Sequence, residues 1–394
     1  MNKRLARIVP FCVDAAVSWF KAVLAAHDAG LLRESGMKIA VLGGGHGCYA
    51  AAADLSEQGH EVRFWRRDAQ ALQSLVQHPF IHLKDSEGER DVRIAKICPN
   101  IGDAIAGAEL ILIPSPAIAQ LDIAKAMAPY LEDGQVVYLP PGTFGSYIMS
   151  EAVRAAGSKA EVSWAETGTL PWLVRKHGPD NVAVTMRATR LPTGVYPAKR
   201  SAHAMAVIKQ AFPCIEPCED ALSGALMNAG PIIHPPLILM NAAPLQHFEA
   251  WDIHNEGTQQ ATRSVTDKLD NERIAIREAI GYKAPHFPLS DHYLNDQWMY
   301  GDSHSKLVDS GDWREKIDLH SHRYMTEDTM LGLAFLVSVA NWAECDAPVA
   351  NGLLAIAGGI VGRDLRLGER TLSALGLAHL SRADMHALLV EGRE

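Results

Sequence analysis

His234, Arg323 and Asp328 are the residues whose types and settings suit proton transfer on a carboxylate-bearing substrate. His234 stands inside the apolar run "NAGPIIHPPLILMN", immediately ahead of two prolines. A residue before proline is biased towards extended geometry, and proline suits the first turn of a helix, so His234 is expected just before a helix "PPLILMNAA". The positive end of such a helix lowers an imidazole's pKa and a nearby carboxylate raises it, which suits proton exchange near neutrality. The carboxylate is sought in "HRYMTEDTMLGLA", where Thr326, Glu327 and Asp328 have the pattern of a helix entry. Asp328 can there orient His234 and stabilise its protonated form, and Arg323 can hold a substrate carboxylate through two parallel hydrogen bonds. Plainer readings stand beside this one. His234 packs in a core, Arg323 pairs with Glu327 four residues on, and Asp328 only caps the helix.

Such groups need a frame, and the first half of the chain supplies a recognisable one. "MKIAVLGGGHGCYAAAADLSEQGHEVRFWRR", Met37 to Arg67, reads as strand, glycine cluster, alanine-rich helix, turn and strand. Its glycines fit G-x-G-x-x-G at Gly43 and Gly45 with Cys48 in the third place, or G-x-G-x-x-A at Gly45, Gly47 and Ala50. In that context the glycines let backbone approach a pyrophosphate seated at the helix N-terminus. Gly43, Gly45, His46, Gly47 and Cys48 are therefore candidate cofactor residues. The second strand ends in Trp65, Arg66 and Arg67, and a basic residue there accommodates a 2'-phosphate. This favours NADP(H) over NAD(H), although Asp68 lies close and Arg66 can alternatively stack on adenine. Further strands at "AELILIPSP" and "QVVYLPPGTFGS", with the helical "LDIAKAMAPYL" between them, indicate a parallel sheet with ligands at its strands' carboxyl ends. Pro114, Ser115, Pro116 and the turn Pro140 to Gly145 lie there. Glu166, in "WAETGTLPWLVR", either reaches the nicotinamide region or is a loop carboxylate or helix cap. Thr167 and Asn228 are candidate substrate contacts.

From about residue 216 the pattern turns to long helical stretches, such as Thr262 to Gly281 and Thr326 to Glu344, and strand signals nearly vanish. The expected fold is an α/β N-terminal Rossmann domain, doubly wound with a mainly parallel sheet, followed by an all-α C-terminal domain. The expected boundaries are an N-terminal extension over 1–36, the Rossmann domain over 37–215 and the helical domain over 216–394, with the ligand crevice between the last two. At 394 residues and 48% hydrophobic content, the chain has room for two such cores. Its first 36 residues loosely imitate a signal peptide, but Asp14 and Lys21 interrupt the apolar middle and no run approaches the roughly 18 apolar residues of a membrane span. A net charge of -9 gives no general attraction to nucleic acid or anionic membrane. Six scattered cysteines predict reduced thiols, a cytoplasmic address and no metal, with Cys214 and Cys218 more simply a loop than a bridge or metal pair. His304, His320 and His322 either add substrate contacts or, more simply, are solvated loop residues, and Asp270 and Glu272 beside Arg273 read as an ion-pair network. Trp251, Trp298 and Tyr300 either line a pocket or bridge helices.

Taken in order, "IAVLGGGHGCYAAAADL", "PYLEDGQVVYLPPGTFGS", "AETGTLPWLVR", "NAGPIIHPP", "LDNERIAIREAIG" and "RYMTEDTMLGLA" resemble the opine dehydrogenase family, the NAD/NADP octopine/nopaline dehydrogenase group. The resemblance spans most of Met37 to Leu377 and leaves the N-terminal extension outside. It implies NAD(P)H-dependent reductive condensation of an amino acid's amine with a 2-oxo acid, with His234 as acid/base, Asp328 as its partner and Arg323 as ligand to the oxo acid's carboxylate. Departures are Cys48 in the glycine loop and Gln120, where relatives often carry histidine; both bear on substrate and cofactor details. Two rivals remain. One is a 2-hydroxy-acid or polyol dehydrogenase that needs no amine, the other a non-catalytic dinucleotide-binding sensor. The expected partners are small molecules, with the oligomeric state open, a homodimer included.

Overall fold

The structure is a computed structural model that describes residues 36–311, 313–314 and 316–393. The expectation for the N-terminal extension falls, Gly36 apart, outside the described residues. β1 (Lys38–Leu42) is buried along all but its first residue and pairs in parallel with β2 (Glu61–Trp65). Burial on both faces is what a central parallel strand requires, and it explains why "KIAVL" carries no polar alternation. Gly43 leaves β1 at φ +128, a region glycine adopts without strain, and its N–H donates to the Trp65 carbonyl at 2.8 Å. The helix His46–Glu57 follows at once.

β3 (Phe80–Asp85), β4 (Gly88–Arg93) and β5 (Lys96–Ile97) come next, then β6 (Leu110–Leu112), β7 (Val136–Leu139) and β8 (Ser163–Thr167). β9 (Trp172–Lys176), β10 (Asn181–Arg187), β11 (Leu191–Tyr196) and β12 (Ile215–Pro217) complete the strands of the described residues. The main sheet runs β12-β11-β8-β7-β6-β1-β2-β5, parallel except where β11 meets β8. The doubly wound expectation thus holds, with one antiparallel step. A second sheet, β4-β3-β10-β9, was absent from the sequence reading. Its outer strand β4 is mostly exposed and rich in charge, so it lacks the apolar run that announces a buried parallel strand.

Beyond Pro217 the described chain is helical. Asp220 Oδ1 accepts from Ser223 N–H at 2.9 Å and starts the first short helix. Helices Gly230–Met240, Gln260–Ile280, Ala334–Trp342, Pro348–Val361 and Arg382–Glu391 follow, with a π-helical stretch Tyr324–Leu333 running into Ala334–Trp342. Gly281, at φ +105, ends the long helix at the position expected. Glu272 does not join Arg273 in an ion pair; its two oxygens accept from Val349 and Ala350 N–H at 2.7 and 2.8 Å, capping the helix Pro348–Val361. Asp270 does pair with Arg273, at 2.7 Å and buried. Cys48, Cys98, Cys214, Cys218 and Cys345 are free thiols. No helix of the described residues is long and apolar enough to cross a membrane.

Candidate active site

One cavity of about 270 Å³ runs from the glycine loop to the helical half, lined by Gly45, His46 and Gly47 at one end and Trp298, Tyr300 and Trp313 at the other. His234, Asn228, Arg323, Glu327 and Asp328 line it between those ends. His234 does not precede its helix, as the sequence predicted; it sits within the helix Gly230–Met240, and Pro235 and Pro236 are interior residues. The helix starts earlier because Pro231 occupies its first turn, where a missing N–H is harmless. His234 Nδ1 lies 2.8 Å from Asp328 Oδ2. Its ring stacks on Tyr324, with centroids 3.7 Å apart, and the Tyr324 hydroxyl is 3.0 Å from His254 Nε2.

Two glycines allow this approach. A Cβ on Gly230 would overlap Asp328 Oδ1, and one on Gly332 would overlap the Pro231 ring. The π-helical winding of Tyr324–Leu333 then sets which residues share a face. Bonding from i to i+5 widens the turn to between about four and five residues, so Glu327 and Asp328 both lie about one turn on from Arg323. Glu327 reaches the other half of the chain, its Oε1 accepting from Ala117 N–H at 2.7 Å, and the Arg323 charge also acts on its carboxyl, against the burial that raises it. Burial pushes the Asp328 carboxyl up to about 7, against the pull of Arg323 and His322. The Arg323 guanidinium lies 5.3 Å from the Tyr324 ring centroid.

At the dinucleotide end, Pro114, Ser115 and Pro116 line the cavity, with Ser115 Oγ donating to the Leu42 carbonyl at 3.2 Å. His46 Nδ1 accepts from Lys176 N–H at 2.7 Å. Gly45 precedes the helix without a side-chain cap, and a Cβ there would meet only open space. This is a cradle of backbone N–H groups into which a pyrophosphate fits. Arg66 lies against Gly44 and donates to the Tyr49 hydroxyl at 3.3 Å. Arg67 turns outward to Asp122 at 2.9 Å and is largely exposed.

Three candidate residues lie elsewhere. Cys48 is fully buried beneath the loop, its Sγ 3.5 Å from the Pro114 carbonyl, filling the helix-to-strand contact that a third glycine would leave tighter. Glu166 is fully buried and accepts from Phe144 N–H at 2.7 Å and Ser146 N–H at 3.2 Å, and from the Ser146 hydroxyl. It holds the start of the helix Gly145–Ala155 rather than a cofactor, and burial pushes its pKa up to about 7. Thr167 is buried in β8 with its hydroxyl on the Pro192 carbonyl at 2.7 Å. Thr169, two residues on, lines the cavity in its place. Asn228 lines it but is also structural, donating to Thr143 Oγ1 at 2.8 Å and accepting from Gly230 N–H at 3.0 Å. Gln120 is buried, donating to the Gly142 carbonyl at 2.9 Å and accepting from Arg370 at 2.8 Å.

Of the three histidines read as either substrate contacts or solvated loop residues, His304 and His322 line the cavity, whereas His320 is exposed. Trp298 and Tyr300 line it too, but Trp251 bonds Asn241 Oδ1 at 3.0 Å away from it. His254, His292, Tyr324 and Arg370 escaped the sequence reading. Arg370 is buried and donates to the carbonyls of Ala117, Gly142 and Thr143 at 2.9, 3.3 and 2.8 Å. The only early signal was the combination of scattered aromatics with histidines through Trp251 to Trp313.

Residues 217–361 match the family model described as NAD/NADP octopine/nopaline dehydrogenase, alpha-helical domain, and residues 39–165 match ketopantoate reductase PanE/ApbA. The chain is 27% identical to an opine dehydrogenase of Arthrobacter sp. (strain 1C) over 355 residues, 88% of this chain and 97% of that one. It is 24% identical to octopine dehydrogenase of Pecten maximus, covering 83% of this chain and 91% of that one. In fold it is similar to octopine dehydrogenase solved with NADH and L-arginine, at TM-score 0.66 and 20% identity over 91% of this chain and 99% of that one. A NADP+-bound yersinopine dehydrogenase aligns at TM-score 0.61 and 16% identity over 91% and 98%. Sheet, glycine loop and helical half together define a nicotinamide-dinucleotide oxidoreductase. Within that class, the relatives that this chain resembles along most of its length are opine and octopine dehydrogenases, and residues 217–361 match the alpha-helical domain of that group.

Proposed function

We propose that this chain catalyses the NAD(P)H-dependent reductive condensation of an amino acid's amine with a 2-oxo acid through an imine. The observation that carries the reading is the 2.8 Å hydrogen bond between His234 and Asp328 in a cavity that also takes in the glycine loop and Arg323. Residues 37–215 hold the dinucleotide and residues 216–394 supply the groups that handle protons and substrate.

The bound dinucleotide supplies the hydride that reduces the imine. His234 takes a proton from the incoming ammonium, leaving a lone pair that attacks the ketone carbon. The imidazole returns that proton to the former ketone oxygen, then takes a second proton from the bonded nitrogen and delivers it to the same oxygen, so that water leaves and the protonated imine forms. Asp328 fixes the ring through Nδ1 and offsets its charge while it is protonated. Arg323 pairs with the oxo acid's carboxylate and holds the carbon in line for reduction. Tyr324, stacked on His234, keeps the ring from rotating.

The cofactor is NADP(H). Arg66, at the end of β2 and against the glycine loop, is the group placed to take a 2'-phosphate. Arg66→Ala is expected to raise the KM for NADPH about tenfold or more and leave that for NADH within about twofold, a contrast steady-state kinetics reads directly.

Following cofactor absorbance with oxo acid alone, amino acid alone and both together tests the reaction. Oxidation is expected only with both. Full-rate oxidation by oxo acid alone would make the chain a 2-hydroxy-acid dehydrogenase, and cofactor binding without turnover under every pairing would make it a sensor.

A further inference from the structure

We infer that the amino-acid end of the cavity selects a large neutral side chain, aromatic or unbranched apolar, and rejects guanidinium and ammonium side chains. This rests on the reading of the chain as an amine-condensing reductase and names its substrate class.

The geometry begins one ring away from the proton-transfer pair. Tyr324 stacks on His234, hydrogen-bonds His254, and His254 packs edge-on against Trp313 at 5.5 Å between centroids. The lining continues through His292 against Trp298 at 4.6 Å and Trp298 against Tyr300 at 5.5 Å, with His304 closing on Tyr293 at 4.9 Å. A continuous wall of rings offers faces and edges to another ring or to a flexible apolar chain.

The wall is polar in places but carries no positive charge of its own near neutrality. Burial drives His254 and His292 down to about 3, and His304 is lowered in the same way. His292 Nδ1 and Trp313 Nε1 are buried with no hydrogen-bond partner among the described residues, as if awaiting a ligand. Two fixed cations stand at the rings: Arg175, which itself lines the cavity, over Trp313 at 3.7 Å, and Arg263, outside the lining, over Tyr293 at 4.7 Å. A cationic side chain entering here would meet like charge in a poorly solvated space. The carboxylates that line the cavity among the described residues, Glu327 and Asp328, lie at the His234 end and are engaged with Ala117 and His234. Asp267 and Asp302 act on Tyr293 and His304 from outside the lining.

The test compares kcat/KM at fixed pyruvate and NADPH for phenylalanine, tyrosine and methionine against arginine, ornithine and lysine. The neutral set is expected to exceed the cationic set by about tenfold or more; arginine or ornithine equal to or better than phenylalanine would overturn the inference. Binding to the cofactor-loaded protein, read from the fluorescence of Trp298 and Trp313, separates the two layers of the argument. Turnover with no amine would sink the reaction, while phenylalanine binding more tightly than arginine would still uphold the subsite, and the reverse order would sink it. His304→Asp adds a carboxylate to the wall and is expected to improve arginine relative to phenylalanine about tenfold; an unchanged ratio would place the side chain elsewhere.

Discussion

Asp328 carries two opposed demands in one carboxyl group. Ionised, it holds the charged imidazole; buried, it is pushed up to about 7 and resists ionisation. Reductive turnover is expected to fall as pH drops through the neutral range, because protonating Asp328 removes the acceptor that orients Nδ1. Asp328→Asn should lower kcat by about 10²- to 10⁴-fold and flatten that acid limb; a variant that keeps both rate and limb would take Asp328 out of the mechanism. At this scale the sequence was partly legible. His234, Arg323 and Asp328 were recoverable because their neighbours form dense, unusual patterns. Glu166 and Thr167 were misplaced because a carboxylate that caps a buried helix and one that touches a ligand have the same one-letter signature. The ring wall around His254 and His292 was invisible, since it assembles from segments separated by dozens of residues.

Among the elements, the π-helical stretch Tyr324–Leu333 does the most positioning. It brings Asp328 to His234, and it packs against Gly230–Met240 only because Gly230 and Gly332 lack side chains. Gly230→Ala is expected to push Asp328 away from His234, cutting kcat by about tenfold or more and lowering stability by about 1–3 kcal/mol, measured by kinetics and denaturant unfolding. Retention of full activity would mean that the close approach is dispensable. Periodicity located this helix and the one bearing His234 but misjudged both interiors. Two prolines signal a start, yet tertiary packing carries the helix through them. Nothing in a single sequence distinguishes i+4 from i+5 bonding.

Over the whole molecule, the two halves are tied by buried polar contacts beside the cavity. Arg370 grips the loops that follow β6 and β7, and Glu327 reaches Ala117; within the first half, Glu166 fastens Phe144, whose φ of +62 is strained for a residue with a side chain. These ties make stability depend on pH. Burial raises Glu166 from its ordinary 4.5 to about 7, so its neutral form favours folding. That contribution is complete below about 4.5 and is lost as pH rises through about 7. Tm should therefore decline between pH 5 and pH 8, and Glu166→Gln should flatten the decline; identical slopes in thermal unfolding would show that Glu166 does not control it. The Rossmann half was legible as a whole because its parallel strands are continuous apolar runs. The second sheet was not, because its exposed strands present mixed polar residues that resemble loops.

The catalytic core of the account rests on one imidazole. His234→Ala, assayed with both substrates saturating and with cofactor affinity measured separately, is expected to lose about 10²- to 10⁴-fold in turnover while binding the dinucleotide within about twofold of the parent. Unchanged turnover would contradict the assignment of proton transfer to His234, and an equal loss of cofactor binding would reduce the residue to a structural part of the fold.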